Sequence, residues 1–526
     1  MKKLFLYTLR LLLVFVFLAG ICIPIQPVTA GGTVGTGTPG SCTEAAFDAA
    51  LSGGGEVTFN CGSEPYTIVL TSQKNITVNT TIDGGGKISL SGGDSIRLFY
   101  VSSGATLNLY NLTLMNGSSS QGGAINNDGY VVILNSSLVN NSAPGMIGGA
   151  IYNYGTLTIT GSTLSGNTAS AGMSGAIQND GMLTINHSNL SNNFVGMAGG
   201  AIGNDGVLVI DGSTFEGNRG PIGGGAIYNS GPLTIFNSSF LNNTASSGYG
   251  GGINNVDTLT IASSTFYTNT ASNGGGGIFT HDTTTVNLCT FRGNRAGTGG
   301  MGGALYNDYY SDLSVEDSML ENNSAPGGQG GGIYNTGNLF MVKDTLTGNS
   351  ASSGMGGGVA NAISGTLIVE NSTFSDNFGG TAGGGIISGG DATVTNCTFY
   401  NNTAGGLVNG YYKTINVKNT IIANNTVYNC SGEITSLGYN LEDANTCTFT
   451  STGDLIQTNP LLGPLADNGG PTLTHALMIG SPAINAGTNI GCPPTDQRGI
   501  VRPLLGTCDI GAFEFAEEVF LPLIKK

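Results

Sequence analysis

"GGAIYNSGPLTIFNSSFLNN", residues 224–243, is one copy of a repeat that runs through most of the chain. Its paired glycines recur from residue 122 to residue 383 at intervals of 25–28 residues. The consensus is GGAI-x-N, then L-x-I, then S-x-F/L-x-x-N, with Ser174 in place of the first glycine in one copy. A constant period of this length predicts a solenoid in which each copy forms one turn.

The apolar residues of each copy alternate with polar residues, which is the period of a strand and not of a helix. In the copy that begins at 148 they are Ile151, Leu157, Ile159 and Leu164. Three short strands per copy, separated by bends rich in Gly and Asn, predict an all-β fold, a right-handed parallel β-helix. We expect about 14 turns stacked ~4.8 Å apart, which gives a rod of roughly 65 Å. Ile151, Ile177 and Ile202 should then lie one above another in the core.

Two columns of asparagine support this register. The first lies two residues after the Ile of GGAI and includes Asn153, Asn179, Asn204 and Asn229. The second lies three residues after the Phe or Leu of the last motif and includes Asn243, Asn269 and Asn294. Stacked amides can donate to the carbonyl oxygens of the next turn, so we expect two structural ladders. The glycine pair permits a tight corner with positive φ.

The segments outside the repeats predict four parts for the chain. Residues 1–30 have the basic start, apolar run and small-residue end of a secretory signal peptide. Residues 31–121 should form an N-terminal cap, with a helix over 43–51, and the first turns of the solenoid. Residues 122–430 form the repeat β-helix, and residues 431–526 form a small C-terminal region.

The composition excludes several classes of partner. Charged residues are only 9% of the chain, and the formal charge is −16, or −19 once the three basic residues of 1–30 are removed. An acidic surface disfavours nucleic acid and anionic membranes as partners. No segment after residue 30 is apolar for long enough to form a transmembrane helix. We therefore expect a secreted or cell-surface protein.

Cysteines fall at both ends of the chain, where an exported solenoid needs covalent support. Short sequence separations favour three disulfides: Cys42–Cys61, Cys430–Cys447 and Cys492–Cys508. Cys289 and Cys397 remain. Because several turns separate them, they should be too far apart to pair, and we interpret them as small residues at a bend.

Two resemblances extend this interpretation. The combination of GGAI with F-x-x-N, as in residues 224–243, resembles the repeat of polymorphic outer membrane proteins, which implies a surface-exposed β-helical adhesin. The likeness covers about 122–425.

"NPLLGPLADNGGPTLTHALMIGSPAINAG" (459–487), followed by "DQRG" (496–499) and "CDIGAFEF" (508–515), resembles choice-of-anchor Q domain proteins. These are exported bacterial β-helix proteins with varied sorting tails. The resemblance implies residence outside the cell or on its surface, and it implies no reaction.

One group of residues has the composition of a chemical site. His281, Asp282, Asp257 and Asp308 fall at the same bend of three consecutive copies. They could form a general acid/base pair or a Ca²⁺ site of the kind that polysaccharide lyases use. The alternative is that they are solvated bend residues, since Asp is common in turns. Asp180 and Asp205 form a second, weaker pair. We expect no metal and no cofactor, with Ca²⁺ as the exception to test.

The sequence favours an exported, non-catalytic scaffold or adhesin whose partner is a polysaccharide or a host or neighbouring cell surface. One alternative is a polysaccharide lyase or glycoside hydrolase centred near His281. The second alternative is a carbohydrate-binding module, for which Tyr309 and Tyr310 are the best candidates. Tyr152 belongs to the variable outward column of the GGAI motif, so we expect recognition in that column and in the loops.

Overall fold

A computed structural model describes residues 31–411 and 413–516, and the signal peptide predicted at 1–30 lies outside the described residues. The fold is a parallel β-solenoid of about 16 turns, which confirms the predicted class. The prediction of about 14 turns was too low because the end turns lack the Gly-Gly motif. Strands of these turns lie at Thr33–Val34, Cys430–Ser431, Thr435–Ser436 and Leu441–Glu442.

Each turn contributes one strand to each of three faces, which we name after the motif that forms them. The GGAI face is a 15-stranded parallel sheet. Its strands are Lys74–Ile76, Phe99–Val101, Ile125–Asn127, Ile151–Asn153, Ile177–Asn179, Ile202–Asn204, Ile227–Asn229, Ile253–Asn255, Ile278–Thr280, Leu305–Asn307, Ile333–Asn335, Val359–Asn361, Ile386–Ser388, Leu407–Asn409 and Cys430–Ser431.

The LxI and FxxN faces are hydrogen-bonded into one 31-stranded sheet, because the long strands Thr80–Ser91 and Thr106–Met115 belong to both. The other LxI strands are Thr33–Val34, Gly55–Phe59, Tyr130–Leu134, Thr156–Thr160, Met182–Asn186, Val207–Asp211, Leu233–Phe236, Leu259–Ala262, Thr284–Asn287, Asp312–Glu316, Asn338–Val342, Thr366–Glu370, Ala392–Thr395, Ile415–Lys418 and Thr435–Ser436. The other FxxN strands are Tyr66–Val69, Ser137–Val139, Thr163–Ser165, Asn189–Ser191, Thr214–Glu216, Ser239–Leu241, Thr265–Tyr267, Thr290–Arg292, Met319–Glu321, Thr345–Thr347, Thr373–Ser375, Thr398–Tyr400, Ile421–Ala423 and Leu441–Glu442.

Short strands also follow the FxxN face in some turns. They are Thr168–Ala169, Phe194–Val195, Thr244–Ala245, Thr270–Ala271, Arg295–Ala296, Ser350–Ala351 and Phe378–Gly379.

The register is the one that the repeat predicts. Ile151 pairs with Ile177, and Ile177 pairs with Ile202. All three side chains are fully buried. Aromatic rings stack in the same way on the FxxN face, where the centroids of Phe240 and Phe266 are 4.6 Å apart and their planes are 2° from parallel. Stacking like residues therefore produces one continuous core along the rod.

An unbroken ladder of buried asparagine amides runs along the bend after the FxxN face. Asn243 Oδ1 accepts hydrogen bonds from the backbone N and from Nδ2 of Asn218, each at 3.0 Å. Asn243 Nδ2 in turn donates to Asn269 Oδ1 and to Phe215 O, both at 2.9 Å. The same pattern repeats along the column Asn141, Asn167, Asn193, Asn218, Asn243, Asn269, Asn294, Asn323, Asn349, Asn377, Asn402 and Asn425.

A second asparagine ladder follows the GGAI face. Its amides bond one turn to the next at 2.6–2.7 Å from Asn127 through Asn153, Asn179, Asn204 and Asn229 to Asn255. The ladder is interrupted at Thr280, which Asn255 reaches at 3.3 Å, and an Asn–Asn bond is found again between Asn307 and Asn335.

A third ladder uses the serine of the S-x-F motif, a role that the sequence did not reveal. The backbone N of a residue in this column donates to the side chain of the residue one turn later, as Ser213 does to Ser238 Oγ at 3.1 Å. Cys289, Asp344 and Cys397 occupy serine positions in the same column. Both cysteines are free and buried, as expected for small bend residues. Burial raises the pKa of the Cys289 thiol to about 11 and that of Cys397 to about 12.

The glycines of GGAI form the corner that brings the chain back to the core. Gly148 has a φ of +65°, which favours glycine. A Cβ on Gly149 would lie 2.1 Å from the carbonyl oxygen of Gly175 on the next turn. The corner is therefore closed by backbone packing and leaves no room for a functional side chain at these two positions.

The N-terminal end of the solenoid is covered by the predicted helix, which spans Glu44–Leu51, with a short 3₁₀ segment at Pro39–Ser41 before it. Thr43 caps the helix by accepting from Ala46 N at 3.2 Å, and Phe47 is fully buried. Lys74, on the first GGAI-face strand, bonds Glu44 at 2.6 Å and ties the helix to the solenoid.

The C-terminal region packs along the side of the solenoid. An antiparallel hairpin of Leu462–Ala466 and Thr474–Leu477 and the chain up to 516 cover the FxxN face of the last turns. Gln497 is fully buried there, and its Nε2 donates to Thr345 Oγ1 at 2.9 Å and to Leu473 O at 3.0 Å. Thr373 Oγ1 donates to Gln497 Oε1 at 2.7 Å.

The asparagine ladder predicts a large loss of stability for Asn243→Ala. The substitution removes the acceptor of the Asn218 backbone N and one of the two bonds of Asn218 Nδ2. It also removes the bonds that Asn243 Nδ2 donates to Asn269 Oδ1 and Phe215 O. A buried group left unsatisfied costs about 1–3 kcal/mol, and each further lost bond costs about 1 kcal/mol. We expect urea unfolding to show a loss of about 3 kcal/mol or more. Asn186→Ala is the control, because the Asn186 side chain makes no hydrogen bond within the part of the chain that the structure describes. Equal effects of the two substitutions would contradict the ladder's importance.

Asp344 predicts a pH dependence of stability. Its carboxylate accepts from Ser318 N at 2.8 Å and is fully buried, and burial raises its pKa well above the ordinary value. A carboxyl with a raised folded-state pKa contributes stability below its unfolded pKa and loses it as the pH rises through the folded pKa.

Asp344→Ser restores the serine column and removes this loss. We expect the stability of the variant relative to the unsubstituted protein to increase between pH 4 and pH 8, measured by urea unfolding. Asp391→Ser, at a carboxylate that is 60% exposed, is the control. A relative stability of Asp344→Ser that does not change with pH would contradict the expectation.

Candidate functional site

The structure brings two of the four candidate residues together. His281 Nδ1 and Asp308 Oδ2, from consecutive turns, are 2.7 Å apart. The His281 side chain is 52% exposed and that of Asp308 is 28% exposed. Each residue directly follows a strand of the GGAI face. The residues before them, Thr280 and Asn307, pair with each other in that sheet. The result is a surface imidazole–carboxylate pair that solvent can reach.

The other two candidates make local contacts. The Asp257 carboxylate accepts from the backbone N and the hydroxyl of Thr258. The Asp282 carboxylate accepts from the backbone N of Thr283. No hydrogen bond joins either of them to His281 in the described residues, so each serves its own bend. Among the residues described, no group of three or more His, Cys, Asp or Glu is placed to hold a metal ion.

The His281–Asp308 pair lies where the repeat departs from its pattern. Thr280 interrupts the asparagine ladder and hydrogen bonds to Thr284 at 2.5 Å, and Cys289 replaces a ladder serine in the same turn. The next turn contains the exposed Tyr309 and Tyr310, and Tyr310 has a φ of +72°, which is unusual for a bulky residue. Departures from an otherwise consistent pattern are expected at functional sites.

Aromatic rings pack beside the pair on the outer side of the GGAI face, and sequence reasoning missed this group. Tyr249, Phe279, Tyr306 and Tyr334 are in mutual contact, with centroids 4.7 Å apart for Tyr249–Phe279, 5.2 Å for Phe279–Tyr306 and 5.1 Å for Tyr306–Tyr334. We call these four residues the tyrosine patch. All four are half-buried. Burial, followed by the nearby Asp308 charge, raises the pKa of Tyr306 and of Tyr334.

The variable outward position of the GGAI motif could have indicated the patch, because Phe279, Tyr306 and Tyr334 occupy it. Tyr152 occupies the same position in an earlier turn but is covered. Tyr152 was expected to be available for recognition, yet it is only 3% exposed. The Tyr154 ring packs against it with centroids 4.3 Å apart, and the Tyr152 hydroxyl donates to Asp180 at 2.7 Å. Alternation places such residues outside the core but does not say whether a neighbouring loop covers them.

Asp180 and Asp205 are bridged and not arranged as a catalytic pair facing solvent. Gln178 Nε2 donates to Asp180 at 2.7 Å and to Asp205 at 2.6 Å. The amide between the two carboxylates reduces their repulsion across adjacent turns and ties the turns together.

His475 is buried between the C-terminal hairpin and the FxxN face. Its Nε2 lies 3.0 Å from Ser375 Oγ, and its Nδ1 lies 2.8 Å from Gly463 O. Burial lowers the pKa of His475. Both side chains are buried. Their contact therefore holds the hairpin on the solenoid.

Charged residues are buried inside the C-terminal region. Arg498 bonds Asp496 at 2.8 Å and stacks on the Phe513 ring at 3.5 Å, and the fully buried Arg502 lies 3.7 Å from Glu514. Burial raises the pKa of Asp509 to about 6. These groups neutralise one another within the region and stabilise its packing.

Disulfides join Cys42 to Cys61, Cys430 to Cys447 and Cys492 to Cys508, the pairs expected from the sequence. The Cα–Cα separations are 5.6, 4.7 and 6.7 Å. Each links residues outside the Gly-Gly repeats, so the covalent bonds reinforce the two ends of the rod.

Comparison with known families agrees with this architecture. Residues 212–230 match the Chlamydia polymorphic membrane protein repeat. These residues run from one FxxN motif to the next GGAI motif, the two elements that form the ladders. The protein is thus a β-helix repeat protein with repeats like those of polymorphic membrane proteins. A search of curated protein sequences found no match.

Within residues 31–411 and 413–516, no helix is both long enough and apolar enough to cross a membrane.

The contacts of Gln497 predict that one amide holds the C-terminal region on the solenoid. Gln497→Ala removes the side-chain hydrogen bonds to the solenoid and to the hairpin and leaves buried groups unsatisfied, at about 1–3 kcal/mol each. We expect faster hydrogen exchange across residues 460–516 with little change in the solenoid before residue 340. Gln329→Ala, on a half-buried loop side chain, is the matched control. Equal exchange in the two variants would show that Gln497 does not hold the region in place.

Proposed function

We propose that this protein is an exported, non-catalytic β-helical protein that acts at the cell surface as a scaffold or adhesin. The observation that best supports this proposal is that the buried ladder amides bond to one another within the solenoid. The variable outer side chains are therefore left for recognition. A rigid rod of about 16 turns displays such side chains at regular ~4.8 Å spacing.

Export is supported by two observations. Three disulfides fit an oxidising compartment. The sequence of residues 1–30 also fits a signal peptide. The similarity of residues 212–230 to repeats of membrane-associated proteins favours the surface as the destination.

The C-terminal region is proposed to be a choice-of-anchor Q-like module. Its "NPLLGPLADNGGPTLTHALMIGSPAINAG" and "CDIGAFEF" segments support this assignment. Gln497, in the DQRG segment, hydrogen bonds to Asp344, Thr345 and Thr373 of the solenoid. The module would then hold the last turns of the solenoid together.

A polysaccharide lyase or glycoside hydrolase is the alternative, and the 2.7 Å contact of His281 with Asp308 favours it. A lyase also needs a group that stabilises negative charge, such as Ca²⁺ held by carboxylates. Asp257 and Asp282 are the candidates, but their contacts are with their own bends. The second alternative, a carbohydrate-binding module, needs no catalytic group and requires only exposed side chains that contact the sugar.

The proposal predicts the fate of the full chain in a bacterial host with an outer membrane. We expect residues 1–30 to be removed and the remaining cysteines to form three disulfides and two free thiols. We also expect protease added to intact cells to cleave the chain. Mass spectrometry after thiol alkylation and peptide mapping measure these properties. A control chain with Lys substituted for Leu12 and Val14 should stay in the cytoplasm. A cytoplasmic, fully reduced unsubstituted chain that retains residues 1–30 would contradict export.

A further inference from the structure

The tyrosine hydroxyls of the patch differ from those of Tyr100 and Tyr152, which lie on the same face. The hydroxyls of Tyr100 and Tyr152 donate to Asp128 and Asp180, so they are used within the fold. The hydroxyls of Tyr249, Tyr306 and Tyr334 have no hydrogen-bond partner among the residues described. The polar tips of the patch are therefore left for solvent or a ligand.

Polar and aromatic groups border the patch on one side. Asp308 follows Tyr306 by two residues in the same turn, and its carboxylate holds His281. Tyr309 and Tyr310 come next, 47% and 85% exposed, with their ring centroids 4.1 Å apart. We call His281, Asp308, Tyr309 and Tyr310 the rim. A half-buried aromatic surface beside a few fixed polar groups is the usual composition of a ligand site.

The patch extends along the rod. Phe279, Tyr306 and Tyr334 come from three successive turns and occupy paired positions of the GGAI face. Tyr249, on the loop before an earlier GGAI strand, adds a fourth ring at one end. A ligand that contacts all four rings must be elongated in the direction of the solenoid axis.

We propose that the tyrosine patch and its rim bind a neutral polysaccharide chain. A pyranose ring has an apolar C–H surface and hydroxyl edges, which match the apolar body and polar tip of tyrosine. Asp308 can accept hydrogen bonds from sugar hydroxyls, and the rim tyrosines can donate or accept. This inference rests on the proposed function and names the partner that the surface protein would hold.

The charges favour a neutral polymer over an acidic one. An acidic polysaccharide requires cations that pair with its carboxylates or sulfates. The patch contains no Lys or Arg, and Asp308 already engages His281. The nearby Arg292 lies on the FxxN face and faces Glu321 at 3.6 Å. The net charge of −16 further disfavours polyanions.

The test uses the chain from residue 31 to residue 526 and a panel of soluble neutral glucans, mannans, galactans and xylans, with polygalacturonate as the acidic polymer. Affinity electrophoresis and calorimetry measure binding. We expect at least one neutral polymer to bind. Tyr310→Ala and Tyr306→Ala should each weaken binding about fivefold or more. Tyr306→Phe keeps the packing and tests the hydroxyl alone.

Tyr130→Ala is the matched control, because Tyr130 is 53% exposed on the LxI face, away from the patch. It should leave affinity within about twofold of the unsubstituted protein. Failure of every neutral polymer to bind, equal binding by the patch variants and the unsubstituted protein, or binding of polygalacturonate alone would overturn the inference.

Assays for new reducing ends and unsaturated products, with and without Ca²⁺, separate this inference from the proposed function. Cleavage that Asp308→Asn abolishes would overturn the non-catalytic function but retain the sugar site. Binding without cleavage supports both.

Discussion

The solenoid depends on stacked asparagine amides that bond one turn to the next inside the bends. A buried amide needs partners for its donors and its acceptor. Here the same residue one turn away bonds to the acceptor and to one donor, as Asn218, Asn243 and Asn269 show. This requirement fixes the register of the turns that contain the ladder asparagines. It also explains why the repeat length varies in the loops while the Asn spacing within each motif is constant.

Because the ladders fix the inner side of each bend, variation is confined to the outer side. The GGAI corner is closed by backbone packing at Gly148 and Gly149, so the two glycines of the motif contribute nothing to a ligand site. The tyrosine patch and the His281–Asp308 pair occur where Thr280 interrupts one ladder. An interruption of the asparagine ladder and this aromatic surface thus coincide.

Much of the fold could be predicted from the sequence because the relevant forces are periodic. Ile151, Ile177 and Ile202 were placed correctly by alternation and repeat length. The end turns were missed because their strands, such as Leu441–Glu442, lack the glycine motif. At the site, a common bend position suggested that Asp257 and Asp282 join His281, but short carboxylates satisfy their own turns first. The burial of Tyr152 depends on loop packing, which no local pattern records.

Hydrogen exchange across the whole chain tests the central claim most directly. If the amide ladders hold the turns in register, the backbone N–H groups of the FxxN column from Asn141 to Asn402 should exchange most slowly. Protection along the GGAI column should fall locally around Thr280 and recover near Asn307. Rapid exchange of the FxxN asparagines, or protection that does not change at Thr280, would contradict the account.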